Sequence, residues 1–527
     1  MKRHIIASLF ILITFTQKVK GQDTFLDSTH PDYIFAQDCY QELQAIIGET
    51  RLNLPQLLVS QSKESIALYT SKPNQIIIEQ ATLNICKNFG ENGRGMLIYL
   101  LGHEFRHFKQ QQEKNINFAT SYLSTNTFLS AQKQLEVEAD QYGIFAAYLG
   151  GYSMIDIPPF LDSIYKKYEL SETLDNYPSL MQRKAFSEKA TKHVKELINI
   201  YEIGNYYNAM GYYLPAVACY QYLLRFIQTK ELHNNLGSVI LGLVLSHERF
   251  PFYLPIEADW TPCIQRRDGL FLFESKNIAL ETALQHFEQA LAYDNKYFPA
   301  KINSFCALFL MQTASNTKAL QERLVVLKLF SLTKDQKATV ACLEGLWHAA
   351  KNENKLAKNA FDKAKNWTTK LSLKQLIKHN IKVLNKGTSI QAPQISYSLQ
   401  QSLDNIDLST ISIQNQSFDA VLTLYQGEDY SVKLHHKKLL KSKLSCLEIE
   451  GTFEPEYWWL QRIHKKSLQT QQNIEIGSSI EQLQNAYKKA PFYGHVLKNG
   501  EVISYPQTHQ AFQIKNLKIV EWAIESH

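Results

Sequence analysis

The stretch Gly95 to Phe108, GMLIYLLGHEFRHF, sets His103, Glu104 and His107 inside an apolar run with helical spacing. Two histidines four apart stack on one face of a helix, where both imidazoles can reach a single ion, and Glu104 falls one position along, beside any water that ion would hold. Each residue type suits Zn²⁺. The ion takes neutral imidazole nitrogen, keeps one position open in catalytic sites and lowers the pKa of its water to about 7, so a neighbouring carboxylate can accept the proton. The pattern HExxH alone fixes few positions and arises by chance on surface helices. The flanks argue for a core helix: Met96, Ile98, Leu100, Leu101, Phe105 and Phe108 make it apolar nearly all round, and polar titratable groups placed there need a reason.

A third ligand should come from another helix, because the first two occupy adjacent turns. The stretch Leu135 to Tyr152, LEVEADQYGIFAAYLGGY, supplies one. Glu136 and Asp140 share a face, Glu138 points elsewhere, and Ala139, Gly143, Ala146 and Ala147 permit close helix packing. Glu136 is assigned as the third ligand, and Asp140 as the acceptor that orients a liganding histidine through its other ring nitrogen.

HEFRH followed by EVEAD resembles the zinc metallopeptidases of the HtpX and BepA type, which pair HExxH with ExxxD. The resemblance covers roughly residues 60 to 190. It implies a zincin-like metallopeptidase domain, with His103, His107 and Glu136 as zinc ligands, Glu104 as general base and Asp140 behind them. Relatives of the periplasmic type carry a downstream HPxxxxR element. Here that segment begins with Tyr177 and Pro178 and ends with Arg183. Tyr177 stands where the family has histidine; it is either a phenol that bonds a zinc-bound water or oxyanion, or a buried core tyrosine. Arg183 matches the pattern and pairs with an active-site carboxylate or lies on the surface. The glycine-bearing strand usual in that family is not visible, so substrate-binding residues are not carried over.

A chain of 527 residues suggests about three domains. Residues 1–22 read as a signal peptide: Lys2 and Arg3 lead, Ile5 to Thr16 is apolar, and Val19 and Gly21 suit cleavage near Gln22. That apolar run is shorter than the roughly 20 residues a membrane span needs. The expected location is therefore the periplasm or the medium, with no membrane span in the mature chain. Lysine and arginine total 56 against 50 acidic residues, and removing Lys2, Arg3, Lys18 and Lys20 leaves 52 against 50, or +2. This balance gives no argument for nucleic acid. Lys433, Lys437, Lys438, Lys441 and Lys443 read as a solvated strand edge and turn. The seven cysteines show no CxxC spacing; Cys39 and Cys86 are the pair to test for a disulfide, while Cys219, Cys306 and Cys342 read as small core residues.

Within residues 23–190, the metallopeptidase domain, Asp23 to about Lys87 reads as helix and then, at Asn74 to Phe89, as an extended edge strand able to bind peptide by β-augmentation. Asn117 to Ala131 reads as a polar loop or irregular helix covering the cleft. Residues 191–388 read as tetratricopeptide-like helical repeats. Leu236 and Gly237 repeat Ile203 and Gly204; Ala283, Phe287 and Ala290 follow an insertion; and Gly204 to Ala216 has the same interval as Gly345 to Ala357. An ordinary helical domain with fortuitous spacing is the alternative. Stacked pairs would form a concave surface for an extended or helical protein segment. The insertion from Ser246 to Asn277, with Trp260, Pro262 and Cys263, either forms a lid on the peptidase domain or plugs the solenoid.

Lys386 to Ser398 reads as a linker, and residues 396–527 as a small α+β domain. Its strands include Ala420 to Tyr425, Tyr430 to His435, Cys446 to Gly451 and the alternating runs around Phe512 and Trp522. A helix is expected over Ser479 to Lys489 behind a capping box from Ser478 to Glu481, and a hairpin turn at Lys498 to Glu501. His435, His436 and His464 lack a matching ligand set and read as exposed histidines.

The expected fold class is α+β, mainly α. The sequence points to an exported zinc metalloendopeptidase acting on protein or peptide substrates, with envelope protein quality control implied by the resemblance and the repeats holding substrate or an envelope protein complex. The alternative is a periplasmic scaffold or chaperone-like repeat protein whose metal site is latent or structural.

Overall fold

The computed structural model describes residues 25–47, 53–62, 66–112, 131–150, 152–153, 156–170, 179–226, 228–247, 250–257, 275–311, 316–330, 332–386, 402–403, 406–407, 413, 416–426, 431–439, 442–450, 456–466, 468–487, 493–497, 500–505 and 508–526. The segments expected as signal peptide, cleft loop and linker, together with Tyr177 and the insertion residues Trp260, Pro262 and Cys263, lie outside the described residues. The fold is α+β and mainly helical, with a separate C-terminal sheet. The chain divides into two compact units, Met1–Asn199 with Arg225–Ile227, and Ile200–Leu224 with Gln228–His527.

The first unit opens with helix α1 (Pro31–Ile47) and strands β1 (Gln56–Ser60), β2 (Ala67–Ser71) and β3 (Asn74–Glu79). The strands form a sheet in the order β1-β3-β2, with β3 parallel to β1 and antiparallel to β2. Two expectations are corrected. The extended stretch ends at Glu79, where helix α2 (Gln80–Lys87) begins, because Thr82, Leu83, Ile85 and Cys86 bury at helical spacing. β3 is also central; its Ile76 and Ile78 are fully buried, and among the described residues β2 pairs on one side only. β1 carries a bridge between Ser60 and Phe25 on its outer side.

Helix α3 (Gly93–Gln112) packs on α1, on β2 and most extensively on helix α4 (Ala131–Leu149). Its all-round apolar surface needs that enclosure, and Met96, Ile98, Leu100, Leu101, Phe105 and Phe108 are all buried. Gly102 and Gly143 face each other at the crossing: a Cβ on Gly102 would sit 3.0 Å from Gly143 Cα, so the backbones themselves are in contact. Helix α5 (Ile157–Lys167) packs on α2, and the division between the units falls within helix α6 (Leu180–Met210). Cys39 and Cys86 are both buried and unbonded.

In the second unit, helices α7 (Tyr213–Leu224), α8 (Lys230–His247), α9 (Lys276–Tyr293), α10 (Phe298–Met311), α11 (Asn316–Leu329), α12 (Lys334–Ala350), α13 (Asn354–Trp367) and α14 (Leu371–Lys386) follow in succession. They pack as neighbours, α8 on α9 and α12 on α13 most extensively. The packing rule is glycine against an aromatic ring. A Cβ on Gly237 would lie 2.6 Å from the Phe287 ring, one on Gly345 2.5 Å from the Phe361 ring, and one on Gly204 3.2 Å from the Tyr220 ring. The interval from 204 to 220 equals that from 345 to 361, so the sequence repeat and the packing repeat coincide. Cys219, Cys306 and Cys342 are fully buried.

Strands β4 (Ser402–Leu403) and β5 (Ile406–Asp407) pair with each other. An antiparallel sheet then forms from β6 (Ala420–Gln426), β7 (Ser431–Lys438), β8 (Ser442–Glu450), β9 (Glu456–Ile463), β10 (Tyr493–Leu497), β11 (Gly500–Tyr505), β12 (Gln510–Lys515) and β13 (Lys518–Ser526), in the order β10-β11-β12-β13-β9-β8-β7-β6. Helix α15 (Ile480–Ala486) adds Leu483 to a core of Tyr505, Phe512 and Trp522. Its capping box is Ser479 with Gln482, one residue later than expected: the Ser479 hydroxyl accepts from Gln482 N, and the Gln482 amide oxygen accepts from Ser479 N. His435 is buried rather than exposed, because it points to the packed face of β7 and bonds Glu448 across the pair at 2.7 Å. His464 is exposed.

Candidate metal centre

α3 delivers His103, Glu104 and His107 from consecutive turns, and α4 delivers Glu136 and Asp140 across the Gly102–Gly143 contact. All five are buried. His103 Nε2 lies 3.0 Å from His107 Nε2 and 3.4 Å from a Glu136 oxygen, and His107 Nε2 lies 3.6 Å from the other Glu136 oxygen. A tetrahedral ion about 2.0–2.1 Å from each of three N or O ligands requires those ligands to stand roughly 3.3 Å apart. Each imidazole nitrogen stands near that spacing from one of the two Glu136 oxygens, and the three side chains, with ligand atoms all within 4.8 Å of one another, form a cluster that could hold a metal ion.

The hydrogen bonds fix what the imidazoles present. Asp140 is held well below the usual carboxylate range: burial opposes its charge, but Arg183 and His103 outweigh that cost. As a carboxylate it only accepts, so His103 Nδ1 donates to Asp140 Oδ1 at 2.9 Å. The Gln110 amide nitrogen faces acceptors, Leu135 O and Glu138 Oε2, which turns Gln110 Oε1 to accept from His107 Nδ1 at 2.9 Å. With both Nδ1 atoms so engaged, the two Nε2 atoms converge on one point beside a carboxylate. Such a convergence of acceptors is stable only around a cation or a shared proton. Burial works against charge on His107, yet Glu136 and Glu104 together raise it to about 9, while burial of Glu136 is outweighed by His107 and His103, which lower it to about 2. The donor set fits zinc: two imidazole nitrogens and one carboxylate leave a fourth position open.

Glu104 stands differently. Its Oε2 accepts from the main-chain N–H of Tyr69, on the outer edge of β2, at 2.8 Å. Its Oε1 is buried and, among the described residues, has no hydrogen-bond partner. Burial raises the Glu104 pKa against the opposing pull of His103 and His107. An anchored carboxylate with one oxygen open is the form a general base requires.

Asp140 also accepts from Tyr99 Oη at 2.6 Å and from Arg183 Nη2 at 2.8 Å. Arg183, which is buried, thus ties the first turn of α6 to the carboxylate that orients His103. Glu138 points away from the imidazoles and pairs with Arg106 at 3.3 Å. Tyr69, Tyr99, Arg106 and Gln110 were not legible as site residues. Gln110 lies on the face of His107, three residues on, and helical spacing is the one signal that could have found it. No protein-family model matches the sequence, and no curated protein matches it.

Proposed function

We propose that the chain is an exported zinc-dependent endopeptidase, related to the metallopeptidases of the HtpX and BepA type, whose tetratricopeptide-like helices hold a protein segment. The observation that carries this reading is the anchored Glu104, with Oε1 open beside two convergent imidazole nitrogens and Glu136. A zinc ion held by His103, His107 and Glu136 supplies Lewis acidity toward a peptide carbonyl and toward water. Glu104 Oε1 takes the proton from the attacking water and passes it to the departing amine nitrogen, with Tyr69 N–H holding the carboxylate in place through both transfers. Asp140 keeps His103 in the tautomer that presents Nε2, and Arg183 keeps Asp140 ionised.

The placement of β2 supports an extended substrate. Among the described residues it pairs on one side only, with β3, and its open edge borders Glu104, so a peptide adding a strand there would lie against the general base. Main-chain pairing of this kind gives little sequence preference, which suits unfolded protein substrates. Among the described residues no helix is long and apolar enough to cross a membrane. Location in the periplasm or medium rests on the reading of residues 1–22.

The test is zinc analysis of the purified chain together with casein cleavage, with and without chelator. Glu104→Gln is expected to keep zinc and lose cleavage by at least a hundredfold, the lower range of general-base effects. Retained cleavage refutes the base assignment. Bound zinc with no chelator-sensitive cleavage in the unaltered chain refutes the peptidase reading and favours a scaffold with a structural metal.

A further inference from the structure

The lysines of β7 and β8 do not guard a sheet edge. β7 lies between β6 and β8, and β8 between β7 and β9, so neither strand has an open side that charge must keep from pairing. Lys441, between the two strands, lies outside the described residues. Lys438 stands directly opposite Lys443, and Lys443 directly opposite Arg462. Opposed residues share a face, so three cations form one row across β7, β8 and β9 at intervals of roughly 5 Å. Exposed His464, Lys465 and Lys466 follow from the end of β9, the strand that carries Arg462.

Like charges set opposite one another in a sheet are destabilising, and the carboxylates nearby match only part of this row. Arg462, which is buried, pairs with Glu202 of α6 at 2.5 Å and lies 3.8 Å from Glu521 of β13. Asp419 accepts from Lys438 N at 2.7 Å and offsets one further charge. Among the described residues, the ammonium groups of Lys438 and half-buried Lys443 make no ion pair. On the opposite face of β7 the lysines are matched: Lys433 pairs with Glu450 at 2.5 Å and Lys437 bonds Gln416 at 3.2 Å. The groups of the row also act on one another. Burial, then Arg462 and Lys438, lower the Lys443 pKa against the pull of Glu202 and Glu521. Burial of its ring, then Lys443, Lys465, Arg462 and Lys438, lower that of His464. Five basic groups therefore share one neighbourhood, and each disfavours charge on the others.

We infer that this row, Lys438 and Lys443 with His464 and Lys465 at its end, binds a phosphate group, carried by a lipid headgroup or free in solution. A phosphate brings up to two negative charges and several acceptor oxygens, so one group can bridge neighbouring ammonium ions and turn their repulsion into attraction. Lysine suits this as a point charge. It imposes no fork geometry, so the site selects the charge and not the shape of what carries it. Arg462, buried and already paired, adds positive charge from within and makes no contact of its own with the ligand. The inference stands apart from the peptidase reading, since none of its residues belongs to the metal centre and all of them lie in the second unit.

Two arms, both on the full chain, separate the sources. Calorimetric titration with inorganic phosphate, compared with sodium chloride at equal ionic strength, tests the free anion. Sedimentation with vesicles of equal parts phosphatidylcholine and phosphatidic acid, compared with pure phosphatidylcholine, tests the headgroup. Binding is expected in at least one arm, which identifies the source, and the combined variant Lys438→Gln, Lys443→Gln and Lys465→Gln is expected to weaken it about tenfold or more. Lys433→Gln with Lys437→Gln removes two charges from the opposite face of β7 and is expected to bind as the unaltered chain does. An equal loss in that control, an equal effect of sodium chloride, undiminished binding by the triple variant, or no binding in either arm overturns the inference. The triple variant also relieves the repulsion, so without phosphate its unfolding temperature is expected to match or exceed that of the unaltered chain. A lower unfolding temperature contradicts the repulsion from which the site is argued and overturns it as well.

Discussion

Gly143→Ala tests whether the metal centre depends on backbone contact between α3 and α4. The new Cβ would fall 2.3 Å from Tyr99 O, 3.0 Å from Tyr99 Cδ2 and 3.2 Å from His103 N. An ordinary carbon–oxygen contact is about 3.3 Å, so the helices must separate by roughly 1 Å or bend. Two of the three obstructing atoms are backbone and cannot swing aside. Overpacking of this kind costs about 1–3 kcal/mol, which lowers the unfolding temperature by roughly 2–4 °C per kcal/mol for a unit of this size. The effect on metal is sharper. Coordination distances tolerate only about 0.2 Å, so a shift of roughly 1 Å between Glu136 and the two imidazoles should weaken zinc at least tenfold. Competition against a chromogenic chelator measures that affinity, and calorimetry of chelated protein measures the stability separately. A variant that binds zinc as tightly as the unaltered chain would show that the ligands do not depend on this contact, and the structural argument for the site would fail.

Arg183→Met leaves the Asp140 carboxylate buried without its guanidinium; removing one partner of a buried pair should cost about 3–5 kcal/mol in urea unfolding and, by loosening His103, weaken zinc some 10–100-fold. A loss below 1 kcal/mol with zinc affinity unchanged contradicts that role. In the chelated chain the ion pair of His107 with Glu136 sets a pH profile. His107, raised from 6.5 to about 9, stabilises the fold fully below pH 6.5 and loses that contribution as pH rises through 9. Glu136, lowered from 4.5 to about 2, stabilises it above pH 4.5 and loses that as pH falls through 2. The two limbs report one interaction, so unfolding temperature should plateau between about pH 4.5 and 6.5 and fall on both sides; in Glu136→Gln the alkaline fall should shrink, and an unchanged fall would disprove the pairing.

What sequence could determine here is what local periodicity encodes. An apolar helix with His103, Glu104 and His107 on spaced positions must be a core helix presenting both imidazoles to one side, because a turn of helix fixes their relation without help from the rest of the chain. The same logic placed Glu136 and Asp140 on one face and Glu138 on another, and made Gly204 and Gly345 equivalent. Short-range strand alternation located β12 and β13. It failed at β9, whose EYWWLQRI lacks a clean alternation because successive residues from Trp458 to Ile463 are buried on both faces of the strand.

Tertiary structure decided everything that depends on contacts between distant segments. Periodicity could not place β3 at the centre of its sheet or bring the edge of β2 to Glu104, since strand order is set by pairing and not by any one strand's residues. Nor could it show that Asn234, Asn303 and Asn380 grip a single stretch of backbone. Asparagine in a helix has no spacing rule, and its amide acquires meaning only from whatever main chain the fold lays against it.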